Sequence, residues 1–158
     1  MKTIMTIALA LAATASVGLA QDHPNFSGEW TLDMAKSDLG IIPPPATMTR
    51  KVDHKDPAVN VEEKQTGGQQ GDTTSNMKYD ASGAETTYTM FGGAATAKST
   101  AKWEGKVLAV NTKTDIQGNE LTITSKWTLS DDGKVWTDAW HIATPQGELD
   151  VTWVLNKK

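Results

Sequence analysis

The stretch Glu120–Ser130, ELTITSKWTLS, alternates without a break. Leu121, Ile123, Ser125, Trp127 and Leu129 fall on one side; Thr122, Thr124, Lys126, Thr128 and Ser130 fall on the other. Extended backbone points successive side chains to opposite faces, so a period of two predicts a strand with one buried face. The same period recurs in both directions. Downstream, Leu149, Val151, Trp153 and Leu155 alternate with Asp150, Thr152 and Val154. Upstream, strands are predicted over 28–32, 48–54, 58–65, 73–79, 85–91, 94–103 and 107–113. Between these lies 135–143, whose two faces are both plausible as the inner one. One carries Trp136, Asp138, Trp140 and Ile142, the other Val135, Thr137, Ala139 and His141. The chain holds 22 threonines, many at the alternate positions, where a β-branched hydroxyl suits the wet face of a strand.

Glycines at 83, 105, 118, 133 and 147 separate these runs, each where a tight turn would need a positive φ. Short connections between neighbouring strands imply antiparallel pairing. The expected fold is therefore all-β: an up-and-down meander closed into a barrel of about 8–10 strands, which removes exposed edges. A sandwich would need longer crossovers. No long amphipathic helix is predicted; Asp33 to Asp38 is read as one helical turn capped by Asp33. Pro43-Pro44-Pro45 is stiff and is expected to lie across one rim.

The first twenty residues, MKTIMTIALALAATASVGLA, have a different character. A single charge at Lys2, an apolar run and a Gly18-Leu19-Ala20 ending have the layout of a cleaved signal peptide. The expected organisation is a signal over 1–20 and one domain over 21–158, exported from a bacterial cell to the periplasm or medium. Losing Lys2 takes the net charge from −4 to −5. A mildly acidic surface with scattered cations disfavours nucleic acid as a partner. Without the signal, no membrane insertion is expected, and the domain is read as a monomer. The chain has no cysteine, so neither a disulfide nor a lipid-modified cysteine can contribute.

Gly28-Glu29-Trp30, in the first predicted strand and followed by the meander, resembles the start of the lipocalin and fatty-acid-binding protein superfamily, and small exported bacterial proteins of lipocalin-like type. The resemblance implies that Trp30 plugs one end of the barrel and that Gly28 lets the backbone approach its ring. In that superfamily an arginine near the last strand often stacks on the plug; here the sole arginine is Arg50, and Lys157 stands near the end instead. The segment after the first strand is too short and too rich in proline for the helical lid of fatty-acid-binding proteins.

No Gly-x-Ser-x-Gly or Cys–His pairing is present and the three histidines are scattered, so no catalysis and no cofactor are expected. The sequence around Asp53, His54 and Asp56 is read as the solvated end of a strand rather than as a metal site. Cleavage after Ala20 would expose Gln21-Asp22-His23, whose amine, amides and imidazole could hold copper in a square plane. The remaining candidate is the barrel interior. Ala95, Ala97, Ser99 and Ala101 share a face with Trp103, and their small side chains are expected to leave room for a ligand. The lining would be Tyr79, Tyr88, Ser99, Trp103, Trp127 and one of Trp136 or Trp140. Arg50 would either meet an acidic ligand group or sit at the rim paired with an acid. The function expected is non-catalytic binding of a small apolar or amphipathic molecule. The alternative is a filled barrel acting in protein interaction, such as envelope assembly or protease inhibition.

Overall fold

The computed structural model describes residues 22–158; the predicted signal peptide and Gln21 lie outside the described residues. Ten strands follow one another: β1 Gly28–Leu32, β2 Thr47–Lys55, β3 Ala58–Gly68, β4 Gly71–Asp80, β5 Thr86–Met90, β6 Ala95–Glu104, β7 Val107–Ile116, β8 Asn119–Leu129, β9 Val135–Thr144 and β10 Gly147–Lys157. Each pairs antiparallel with its neighbour, and β1 pairs with β10, so the sheet closes. The all-β barrel read from the alternation is thus the fold observed. No α-helix occurs among the described residues; a single 3-10 turn spans Phe91–Gly93.

The turns have the chemistry the pairing demands. Ile116 faces Asn119 across a two-residue loop, and both loop residues, Gln117 and Gly118, have positive φ (55° and 80°). That is the backbone of a type I′ turn, whose twist matches that of the strands it joins. Loops alternate between the two ends of the barrel. Those after β2, β4, β6 and β8 share one end with the N-terminal segment 22–27, while those after β3, β5, β7 and β9 lie at the other.

The connector 33–46 between β1 and β2 forms no lid. Asp38 exchanges both backbone hydrogen bonds with Thr152, which continues the closure of β10 beyond the end of β1. The expected single turn is present at Asp33, where the Ser37 N–H donates to the Asp33 carbonyl at 3.1 Å. The Asp33 carboxylate accepts from Asn156 at 2.9 Å and pairs with Lys36. Pro45 is buried beside Gly68, while Pro43 and Pro44 are exposed.

One seam is weak. β4 and β5 share a single register pair, Asn76↔Thr89, whereas β6 to β10 are zipped along most of their length. The face left open in 135–143 is resolved: Trp136, Asp138 and Ile142 are buried, with Trp140 half-buried on the same side, and Ala139 and His141 face water. Both tryptophans therefore point inward.

Candidate functional site

At the end where the N-terminal segment lies, Trp30 is fully buried, and its indole N–H donates to the Phe26 carbonyl at 2.8 Å. Phe26 is equally buried and packs its ring on Trp127 and Trp136. The end is therefore filled by two side chains, Trp30 and Phe26. Lys157 occupies the place expected of an arginine: it is the register partner of Trp30, and its Nζ lies 5.4 Å from the centre of the indole. Gly28 serves that lysine rather than the indole. Its φ is +130°, and a Cβ there would stand 2.8 Å from the Lys157 Cε.

At this same end lies a cluster around Asp56. Trp103 donates to the Asp56 carboxylate at 3.0 Å, His23 approaches it at 3.4 Å, and His54 at 3.6 Å. His23 stacks on Trp103 with 4.4 Å between ring centres. His54 was expected at a solvated strand end; it is 4% exposed, because its position on β2 is an inward one. Its Nδ1 accepts from the Phe26 backbone N–H at 3.1 Å, which leaves Nε2 as the protonated nitrogen facing Asp56. Burial holds His54 below its ordinary pKa against the pull of Asp56. For Asp56, burial acts upward, but hydrogen bonds from Trp103 and His23, with His54 nearby at 3.6 Å, outweigh it and hold the carboxyl below its usual range. Among the described residues no group of three His, Asp or Glu side chains is placed to hold a metal ion. Of the three residues proposed for copper, Gln21 is outside the described residues, Asp22 is exposed, and the His23 ring is engaged by Trp103 and Asp56.

The middle of the barrel is polar and charged. Arg50 is 3% exposed, so the rim placement does not hold, since Arg50 alternates with Met48 and Val52 on the inner face. The guanidinium donates from Nε to Glu63 at 2.7 Å and from Nη1 to Asp138 at 2.8 Å, and it lies 4.7 Å from the centre of the Trp136 ring. Burial alone would lower the pKa of Arg50; Glu63 and Asp138 reverse this and hold it above its ordinary value. Glu63 also accepts from Gln65 at 2.8 Å. Asp138 is pushed up by burial, with Arg50 acting in the opposite direction. Its Oδ1 has no hydrogen-bond partner among the described residues.

Beside this triad runs a line of hydroxyls. Tyr88 bonds Ser99 at 2.7 Å, Ser99 bonds Thr112 at 2.7 Å, and Tyr88 donates to Tyr79 at 3.3 Å. The Tyr79 hydroxyl is pushed well up, by burial first and by Tyr88 second, so it stays protonated.

The small face of β6 does point inward, but it leaves little room. Tyr88 stands opposite Ala97 in register and reaches Ser99, occupying the space those side chains give up. The interior cavity measures about 20 Å³. That is enough for one water and far from a drug-sized ligand. Arg50, Tyr79, Tyr88 and Trp127 line it, as expected. Ser99 sits one hydrogen bond behind Tyr88, and Trp103 is away at the plugged end. Of the two alternatives Trp136 and Trp140, it is Trp140 that lines the cavity; sequence reasoning missed Met77, Met90 and Asp138 in the lining, and Glu63 behind Arg50. Two signals pointed to the acids. Glu63 continues the inward register of Val59 and Val61, and Asp138 stands between two tryptophans on one face.

This architecture is that of the calycin-type β-barrels. A secretory abundant heat soluble protein from Ramazzottius varieornatus superposes with a TM-score of 0.54 at 8% identity, over 84% of this chain and 94% of the other. Echinococcus granulosus fatty-acid-binding protein 1 gives 0.52 at 10% identity, over 84% and 96%. At such identities the likeness is one of fold. No protein-family model matches the chain, and no curated protein matches it in sequence.

Proposed function

We propose that this protein is an exported, monomeric, non-catalytic barrel that takes up a small amphipathic molecule from the bacterial periplasm or medium. One observation carries the reading. The seam with the fewest register pairs, between β4 and β5, runs beside the interior cavity, and the residues flanking it are cavity-lining ones: Met77 and Tyr79 on β4, Tyr88 and Met90 on β5. Methionine side chains repack at low cost, so this wall can yield to a guest that the 20 Å³ cavity would not hold. The fold shared with a fatty-acid-binding protein supports a binding role in general. The polar centre between apolar walls supports an amphipathic guest over a purely apolar one.

A second reading has its own support. Arg50 is already matched by two acids, and a hollow of about 430 Å³ lies on the outer wall over β2–β4, lined in part by Lys51, Asp53, Glu62 and Lys78. A filled barrel working through its surface, in envelope assembly or inhibition, would look like this. Titrating the folded protein with octanol while following its indole N–H resonances separates the two. Saturable one-to-one shifts of the inward indoles support uptake; a spectrum that does not change supports the filled barrel.

A further inference from the structure

Arg50, Glu63 and Asp138 form a buried group with one cation and two carboxylates. Three of the four carboxylate oxygens accept from the protein. Glu63 Oε2 and Asp138 Oδ2 take Arg50, and Glu63 Oε1 takes Gln65. Asp138 Oδ1 is the odd one out. The residue is 1% exposed, it lines the cavity, and nothing among the described residues donates to that oxygen. The Trp140 indole N–H, on the same face, is close enough to favour the charged form of Asp138 as a donor, but it stands outside hydrogen-bond geometry for Oδ1. A carboxylate oxygen left unmatched at this depth is costly. The other cavity-lining polar groups are the hydroxyls of Tyr79, Tyr88, Thr112 and Ser125. All four are engaged elsewhere: Tyr79 donates to the Met77 sulfur, Tyr88 and Thr112 share Ser99, and Ser125 accepts from Trp127.

Resting on the ligand-uptake reading above, we propose that Asp138 Oδ1 is the polar anchor of the guest, and that the guest carries a hydrogen-bond donor head, a primary amine above all, rather than a carboxylate. The charge balance argues the same way. An incoming carboxylate would have to share Arg50, whose Nε and Nη1 already donate to Glu63 and Asp138, through its remaining N–H groups, and would face those two anions at close range. An ammonium head gains a charge-assisted bond to Oδ1 and brings the second positive charge the triad lacks. The alkyl chain would then run between Met77, Met90 and Trp140, the apolar lining near the β4–β5 seam and on β9.

The test uses the full domain and three probes of equal chain length: octylamine, octanol and octanoate. With the wild type, octylamine should bind at least about tenfold more tightly than octanoate, with octanol between them. In Asp138→Asn the advantage of the amine over the alcohol should disappear. The wild-type series stands on its own if that variant does not fold. Octanoate binding as tightly as octylamine, or more so, overturns the donor-head assignment and leaves ligand uptake intact. If none of the three binds, uptake itself fails and the assignment falls with it.

Discussion

At the scale of single residues, two buried side chains set the energetics of the interior. Arg50 offsets the cost of two buried acids, so removing it alone is far worse than removing all three charges. Arg50→Ala should destabilise by about 3–5 kcal/mol, because Glu63 and Asp138 are left uncompensated. Replacing Arg50, Glu63 and Asp138 together with apolar residues should recover most of that loss in a urea melt. If Arg50→Ala melts like the wild type, the triad is not the interior support described. His54 gives a pH dependence of definite sign. Its folded pKa lies below the ordinary 6.5, so the unfolded chain binds a proton first as pH falls. The stability His54 contributes is complete above 6.5 and is lost below it, down to the depressed folded value. Protonated Nδ1 could no longer accept the Phe26 N–H, so the loss appears at the plug. Exposed His141 acts in the opposite sense. The Asp150 hydrogen bond raises its pKa, so its contribution is present at low pH and fades as pH rises. Thermal melts across this range, compared between wild type and His54→Gln, isolate the first effect: the wild type should lose more stability on acidification than the variant.

At the scale of elements, the strands were legible because a half-buried strand writes its geometry directly into the alternation of residues. The 120–130 run, the turn glycines and the inward set Met48, Arg50 and Val52 all follow from a period of two. What the alternation does not carry is the pairing across the barrel. Small residues on β6 suggested a hollow interior, but Tyr88, brought opposite Ala97 by the β5–β6 register, fills it. Likewise Arg50 meets Asp138 across 88 positions of sequence, a contact that no local pattern reports. The ambiguous faces of 135–143 were undecidable locally because each carried apolar and polar residues; the register with β8 and β10 decides them. The β4–β5 seam is equally invisible in the sequence, and it is open to test because the chain has no cysteine. A disulfide engineered at its one register pair, with Asn76→Cys and Thr89→Cys, should block uptake of octanol when oxidised and restore it on reduction. Equal uptake in both states would mean that the guest does not pass this seam.

At the scale of the whole molecule, the barrel has one end plugged by Trp30 and Phe26, a charged and hydroxylated middle, and a wall that is weakest beside its small cavity. The indole resonances report on this without modification of the chain, because its six tryptophans are spread over these regions. Trp127 and Trp140 line the cavity, while Trp103 packs outside the plug against His23. Octanol titrated into the folded domain should shift the indole N–H signals of Trp127 and Trp140 to saturation at one equivalent and leave Trp103 in place. Shifts confined to Trp103, or no shift of any indole while the protein stays folded, would contradict uptake into the barrel.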